Sequence, residues 1–217
     1  MKNNVIQRIL DEKIIVIVRG VEKDKLLPLS EAMYKGGIRL LELTYSAVGT
    51  PTDTETAENI RMLSEYWGDK MYIGAGTVLT PEQVEMTANA GGYFIISPDT
   101  NPEVIGKTVE LGLVSIPGAL TPTEIALAAR SGADFAKLFP ISTMGPDYVK
   151  AVKAPLSHIK LLAVGGVKES NILDYMKAGA VGFGLGANIV DHKLIAANDW
   201  DGITELARRY VALVNGR

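Results

Sequence analysis

The chain has no cysteine at all among its 217 residues. This absence excludes disulfide bonds, cysteine nucleophiles and thiolate metal sites, and it suits a reducing compartment. Histidine is almost as scarce, with only His158 and His192. Because no group of residues has the spacing of metal ligands, we expect no bound metal.

Long apolar runs and blocks of basic charge are also missing. The N-terminal segment MKNNVIQRILDEK has no apolar core of signal-peptide length, and glycine or charge interrupts every apolar run short of a membrane span. Lysine and arginine total 22 against 25 acidic residues, which gives a net charge of -3. Without a basic face, nucleic acid is not expected as a partner. We predict a cytoplasmic protein that does not bind membranes.

A short pattern recurs along the chain: a small residue, glycine, one or two spacers and a brief apolar run. It occurs in GGIRLLELT, GGYFIISP, LGLVSIPG, SGADFAKLFP and AGAVGFGLG, and Gly92, Gly112 and Gly132 lie 20 residues apart. Glycine is suited to end a helix because it adopts the left-handed conformation without a Cβ clash. Each apolar run then predicts a buried strand of a parallel sheet.

Helix starts follow several of these strands. TPEQ at 80–83, NPEV at 101–104 and TPTE at 121–124 each place a capping threonine or asparagine before a proline. Gln83 and Glu124 occupy the position that closes a capping box.

Eight strands can be counted: IIVIVRG, LLELT, YIGAGTV, FIISP, VSIPG, FAKLFP, LLAVGG and GFGLG. Eight strand–helix units without a linker predict an α/β fold, a (β/α)8 TIM barrel, as a single domain over residues 1–217. An open doubly wound sheet is disfavoured, because the first strand runs into VRGVEKD and lacks the usual glycine-rich turn.

Two charged residues lie inside apolar strands of this barrel. Lys137 stands in FAKLFP and Glu42 in LLELT. Strand alternation places Lys137 on one face with Phe135 and Phe139, and Glu42 on one face with Leu40 and Thr44. If these faces point inward, both charged residues enter the barrel mouth. They form either a structural salt bridge or a catalytic pair. The catalytic interpretation is favoured, because charged residues are rarely kept in apolar surroundings without a use.

Three further polar residues end strands, where barrel enzymes carry their functional groups. Arg19 either binds a substrate or extends into solvent. Thr77 and Ser97 either face a substrate or hydrogen-bond to local backbone.

The glycines after strands seven and eight also allow two interpretations. Gly165, Gly166 and Gly186 either present amides to a phosphate or serve tight turns. His158 and His192 lie outside the ring of strand ends, and we expect surface or loop roles for both.

A desolvated lysine has chemical consequences. Burial disfavours the ammonium and lowers its pKa, so the neutral amine of Lys137 can attack a carbonyl and form a Schiff base. The iminium then withdraws electrons, so that a C–C bond beyond the neighbouring carbon can break or form. Glu42 can move the protons through water. This is the chemistry of a class I aldolase.

Six motifs, in order and phase, resemble the 2-keto-3-deoxy-6-phosphogluconate (KDPG) and 4-hydroxy-2-oxoglutarate (KHG) aldolases: LLELT, IGAGTVL, FIISP, SIPG, FAKLFP and VGGV. The resemblance covers nearly the whole chain. It implies that Lys137 is the Schiff-base lysine and that Glu42 is the general acid and base. It further implies that Thr77 contacts the keto acid. By the same resemblance, the phosphate is held by the backbone amides of Gly165, Gly166 and Gly186.

The same resemblance implies a lyase that cleaves a KDPG- or KHG-type 2-keto acid to pyruvate and an aldehyde. The aldehyde would be glyceraldehyde 3-phosphate or glyoxylate. The family works as a small barrel without metal or organic cofactor, and its members are typically homotrimers.

Three positions depart from the family pattern. Ser46 stands where several members carry an arginine for the substrate carboxylate, so Arg19 is expected to supply that clamp. Val164 and Ala187 replace a common threonine and serine, which removes two hydroxyls expected around the phosphate. The segment SAVGTPTDTETAE after strand two is longer than in many members and is expected to reshape the pocket.

Two alternatives remain open at this point. One is a phosphate-binding barrel of another type, such as a sugar-phosphate epimerase or a thiamine-phosphate synthase, which would not need Lys137 in an apolar strand. The other is a catalytically silent barrel that acts as a binding subunit, in which Lys137 and Glu42 would be replaceable.

Overall fold

The structure is a computed structural model that describes residues 2–216. Its strands are β1 (Ile14–Val18), β2 (Leu40–Thr44), β3 (Tyr72–Gly76), β4 (Phe94–Ile96), β5 (Val114–Ile116), β6 (Gly118–Ala119), β7 (Ala136–Leu138), β8 (Leu161–Val164) and β9 (Ala180–Leu185). The helices are α1 (Lys2–Glu12), α2 (Lys23–Lys35), α3 (Asp53–Trp67), α4 (Pro81–Asn89), α5 (Pro102–Glu110), α6 (Pro122–Arg130), α7 (Gly145–Lys153), α8 (Ile172–Lys177), α9 (His192–Ala196) and α10 (Trp200–Val214), with a 3-10 turn at Ile141–Thr143.

All the strands lie in one parallel sheet in the order β5-β4-β3-β2-β1-β9-β8-β7-β6. Only Pro117 separates β5 from β6, so these two are the halves of the predicted fifth strand. The first half pairs with β4 and the second with β7. The proline carbonyl accepts a hydrogen bond from the Lys137 amide at 2.8 Å. The sheet is therefore a nearly closed barrel, which confirms the predicted fold class.

The buried apolar residues form two clusters on the two faces of the sheet. The larger lies between the strands and the surrounding helices. The smaller fills the barrel and includes Leu40, Phe94 and Phe135, together with Val5 and Ile9 of α1. Helix α1 therefore closes the amino-terminal end of the barrel, and the other end is left for polar side chains.

The predicted helix starts are confirmed, with one difference in detail. Thr80, Asn101 and Thr121 each accept a hydrogen bond at the start of α4, α5 and α6. Glu124 closes the capping box with Thr121. Gln83 does not close one, because its side-chain oxygen accepts a hydrogen bond from the Leu79 amide at 2.8 Å instead.

The glycine repeat ends helices as predicted, except at one position. Gly112 and Gly132 have φ values of 71° and 98°. Near Gly92 the left-handed residue is its neighbour Gly91, with φ 81°. Gly92 is needed for space, since a Cβ there would overlap the side chain of Thr87.

Candidate active site

Lys137 and Glu42 lie inside the barrel near the carboxyl ends of β7 and β2. Their side chains line one small apolar cavity together with Ile15, Leu162 and Val164. Lys137 is 7 % exposed and Glu42 is 2 % exposed. The faces that carry Lys137 and Glu42 therefore point inward, which is the condition for both residues to enter the barrel mouth.

The two charged groups share this cavity without a direct ion pair. Within residues 2–216, the ion pairs at 4.0 Å or less include neither Lys137 nor Glu42. The Oε2 atom of Glu42 is buried and has no hydrogen-bond partner among the described residues. A buried carboxylate oxygen without a donor is costly, so this atom is suited to receive a proton or a hydrogen bond from a bound molecule.

Burial determines the ionisation of both groups. It raises the pKa of the Glu42 carboxyl from 4.5 to about 7, against the opposing effect of the positive charges of Lys137 and Arg19. Burial likewise lowers the pKa of the Lys137 ammonium. The Glu42 carboxylate opposes that change, Arg19 reinforces it and Asp99 opposes it. Near neutral pH, Glu42 can both take up and release a proton, and a neutral Lys137 amine becomes accessible.

Gly76 fits against the Glu42 side chain and was not singled out from the sequence. It ends β3, next to β2 in the sheet. A Cβ at Gly76 would overlap the carboxylate of Glu42. The Glu42 carboxylate therefore occupies the space that a side chain at position 76 would fill. The signal in the sequence was the second glycine of IGAGTV, which carries no meaning until β2 and β3 are placed side by side.

Arg19 and Thr77 are joined at the mouth of the barrel. The Arg19 Nη2 donates a hydrogen bond to the Thr77 Oγ1 at 2.9 Å. Thr77 has φ 55°, a left-handed conformation that is rare for a β-branched residue and that tends to occur at functional sites. The structure thus brings together two predicted site residues that are 58 positions apart in the sequence.

A second cavity of about 360 Å³ lies beneath the segment after β2. Arg19, Thr77 and Ser46 are among its lining residues. The Ser46 hydroxyl accepts hydrogen bonds from the amides of Val48 and Thr50 at 3.3 and 3.2 Å, and so orders the loop. Ser46 is therefore engaged within its own loop, and the guanidinium of Arg19 is the positive charge that borders this cavity.

The three predicted phosphate-site glycines have available amides. Within the described chain, no backbone hydrogen bond outside the regular elements uses the N–H of Gly165, Gly166 or Gly186 as donor. Gly165 and Gly166 have φ values of 88° and 84°, so both also serve a turn that other residues would strain. The two interpretations of these glycines are compatible.

The two departures expected near the phosphate lie in different places. Val164 points into the barrel and lines the cavity of Lys137 and Glu42, so its missing hydroxyl is not at the Gly165–Gly166 turn. Ala187 lies beside Gly186 and Arg19 in an open cleft. The position of Val164 follows from strand alternation, which turns the last residue of β8 inward.

Several other placements complete the site. Ser97 is buried at the end of β4, and Asp99, two residues further on, acts on the charge of Lys137. Phe139 is 38 % exposed, and its ring centroid lies 4.7 Å from the Lys137 Nζ. The sequence did not indicate Asp99 as a site residue, because Asp99 lies beyond the end of β4 and not within the strand.

Comparison with known proteins decides the family. The family model for KDPG and KHG aldolases matches residues 5–206. The chain belongs to this family. It is a lyase, a class I pyruvate aldolase that forms a Schiff base and cleaves its substrate to pyruvate and an aldehyde. The family match favours this activity over the epimerase or synthase and over the silent barrel.

Relatives and solved structures agree with that assignment. This aldolase is 38 % identical to 2-dehydro-3-deoxy-6-phosphogalactonate aldolase from Escherichia coli (strain K12) over 177 residues, 81 % of this chain and 83 % of the relative. It is 29 % identical to 2-dehydro-3-deoxy-phosphogluconate aldolase from Haemophilus influenzae, over 97 % of this chain and 96 % of the relative. A Legionella pneumophila KDPG aldolase structure, with pyruvate captured as a covalent carbinolamine, superposes with a TM-score of 0.84 at 28 % identity, covering 96 % and 97 % of the two chains.

Residues 2–216 contain no helix that is both long and apolar enough to cross a membrane. They also contain no group of three or more histidine, cysteine, aspartate or glutamate side chains placed to hold a metal ion.

Proposed function

We propose that Lys137 is the Schiff-base lysine of this aldolase and that Glu42 is its general acid and base. The observation that carries the proposal is the burial of both groups in one apolar cavity, without a direct ion pair between them. The cavity that both side chains line has a volume of about 10 Å³, which is about the space that one water molecule needs. The pKa changes of both groups act in the direction that each role needs.

The proposed reaction proceeds through a covalent intermediate. The neutral amine of Lys137 attacks the C2 carbonyl of the 2-keto acid, and loss of water leaves an iminium. Glu42 accepts the proton of the C4 hydroxyl through a water molecule, the C3–C4 bond breaks, and the aldehyde leaves. The bond electrons form an enamine, which Glu42 protonates at C3. Water then hydrolyses the iminium, releasing pyruvate and the free lysine.

We further propose that the substrate is a 2-keto-3-deoxy-6-phosphohexonate, which yields pyruvate and glyceraldehyde 3-phosphate. The available amides of Gly165, Gly166 and Gly186 support a phosphate site. The names of the two relatives, a phosphogalactonate and a phosphogluconate aldolase, support the same substrate class. Arg19, held by Thr77, is the proposed clamp for the substrate carboxylate.

The active form is proposed to be a cytoplasmic homotrimer. Membership of a family of metabolic aldolases supports this proposal. Size-exclusion chromatography with light scattering should give a mass of three chains, and a monomer with full turnover would contradict the trimer without affecting the assignment of Lys137.

Borohydride trapping tests the central assignment. Pyruvate with borohydride should add a reduced three-carbon group to Lys137, detected by peptide mass spectrometry, and should abolish activity. Lys153 is a suitable internal control, because burial lowers its pKa too, while its Nζ is bound to the carbonyls of Ser157 and Ile159. Lys137→Arg should lose the adduct and Lys153→Arg should keep it. An adduct on another lysine would refute the proposal.

A further inference from the structure

An open cleft lies where β9 and β1 end, beside the proposed phosphate amides. It has a volume of about 460 Å³ and is lined by residues of both strand ends, among them Arg19, Gly20, Gly186 and Ala187. Arg19 is its fixed positive charge, and the Gly186 amide is one of the available backbone donors. Ala187 contributes a methyl group and no hydrogen-bond donor of its own side chain.

His192 lines the same cleft, although its place in the sequence indicated only a surface or loop role. It begins the short helix α9. Its ring extends to the end of β1, where Cε1 lies 3.9 Å from the position that a Cβ at Gly20 would have. Gly20 directly follows Arg19, and the side chains of His192 and Arg19 both line this cleft.

The residue before His192 keeps it in this position. The Asp191 Oδ1 accepts hydrogen bonds from the amides of Lys193 and Leu194 at 2.8 and 3.2 Å. These bonds fix the start of α9 and orient the backbone of His192. They also engage the Asp191 carboxylate, the nearest negative charge along the chain.

We propose that His192 binds the phosphate group of the substrate together with the Gly186 amide, and so determines the preference for phosphorylated substrates. The proposal rests on the aldolase function proposed above. A phosphate presents several acceptor oxygens, and the imidazole N–H and the Gly186 amide are donors that line the same cleft. The imidazole supplies a side-chain donor at the place where Ala187 has none.

The two histidines make a matched pair of variants. His158 is exposed in the connection between α7 and β8, at the opposite end of the barrel. His192→Gln should lower the ratio of kcat/KM for 2-keto-3-deoxy-6-phosphogluconate to that for 4-hydroxy-2-oxoglutarate by about tenfold, the effect of one hydrogen bond to a charged group. His158→Gln should leave that ratio unchanged. His192→Arg should restore most of the ratio, because it again places a side-chain hydrogen-bond donor in the cleft.

Chemical modification tests the binding directly and needs no turnover. Inorganic phosphate should protect His192, but not His158, from carbethoxylation by diethyl pyrocarbonate, as measured by peptide mass spectrometry. An unchanged substrate ratio in His192→Gln, or equal modification of both histidines with and without phosphate, would overturn the assignment. If borohydride trapping fails on Lys137 while phosphate still protects His192, the proposed reaction is wrong and the anion site stands.

Discussion

At the scale of single residues, the site depends on two ionisable groups held where their charged forms are disfavoured. An unpaired buried charge is costly, and within the part of the chain that the structure describes neither Glu42 nor Lys137 has an ion pair to offset that cost. The result is a carboxyl group with a pKa of about 7 and an ammonium with a lowered pKa. Proton transfer is most effective when the pKa of the transferring group lies near the working pH. The same burial that destabilises these charges therefore makes them reactive.

Replacing the carboxyl of Glu42 by an amide should separate proton transfer from imine formation. Glu42→Gln keeps the shape of the side chain and removes its ability to exchange a proton. We expect kcat to fall by roughly 10²- to 10⁴-fold, the usual contribution of general acid–base catalysis, while borohydride still traps pyruvate on Lys137. Steady-state kinetics and adduct mass measure the two effects, and near-normal turnover would make Glu42 a structural residue.

Gly76 should behave as a positioning residue for the Glu42 carboxyl. Gly76→Ala places a methyl group where that carboxyl lies, so the carboxyl must move, and a displacement of about 1 Å can cost on the order of 10²-fold in rate. We expect a loss of that size in kcat, with the pyruvate adduct at Lys137 retained.

Gly106→Ala is the matched control for Gly76→Ala. Gly106 lies in α5, and a Cβ there would have no atom within 4 Å. This control should keep full activity. Equal kinetics for the two variants would show that Glu42 adapts to the added methyl group without loss.

At the scale of elements, the two ends of the barrel are differently occupied. Helix α1 packs Val5 and Ile9 against the barrel-filling residues at the amino-terminal end. At the other end, the strands finish in polar residues and glycines. The fifth strand is divided at Pro117 because proline has no N–H to donate to the sheet. The division lets the strand pair with β4 before the proline and with β7 after it.

The closing role of α1 predicts a large effect from one of its residues. Ile9 is fully buried, so Ile9→Ala should lower the free energy of unfolding by about 2–5 kcal/mol, as for other large-to-small changes in protein cores. Ile6→Ala, at a half-buried position of the same helix, should cost clearly less. Urea denaturation followed by circular dichroism compares the two variants, and equal losses would argue against α1 as the closure of the barrel.

At the scale of the whole molecule, the cost of the buried carboxyl should appear in the pH dependence of stability. Because the pKa of Glu42 is raised in the folded state, folding favours its neutral form. The stability that the fold gains from keeping Glu42 neutral is fully present below pH 4.5, and it is lost as the pH rises through about 7. At 1.36 kcal/mol per pKa unit, ionisation costs the folded state on the order of 3 kcal/mol.

Glu42→Gln should therefore be more stable than the parent protein at alkaline pH. We expect a difference in unfolding free energy of about 1–3 kcal/mol at pH 8. The lower values allow for the lost attraction between the Glu42 carboxylate and Lys137. At pH 4.5 the difference should largely vanish. Denaturant unfolding at the two pH values gives the answer, and a difference independent of pH would show that the carboxyl ionises freely in the folded protein.

The strands and helix starts could be predicted because they depend on local physics. An apolar run must be buried, a glycine can end a helix, and a threonine before proline can begin one. The same locality produced the errors. Gly92 could not be distinguished from Gly91 as the left-handed residue, and Gln83 could not be seen to turn toward Leu79. Both contacts lie within a few residues, Gly92 with Thr87 and Gln83 with Leu79, and they depend on backbone geometry that residue type does not specify.

The amino-acid sequence by itself determined the barrel, the strands that carry Lys137 and Glu42, and the chemistry that a lysine in an apolar strand can perform. Strand alternation and burial, which are readable along one dimension, were sufficient for these conclusions. Only the tertiary structure decided what lies beside those residues. It placed the carboxyl of Glu42 against Gly76, joined Arg19 to Thr77, turned Val164 toward Lys137 and brought His192 to the end of β1. Such contacts join residues of different strands, and their distances follow from the closure of the sheet.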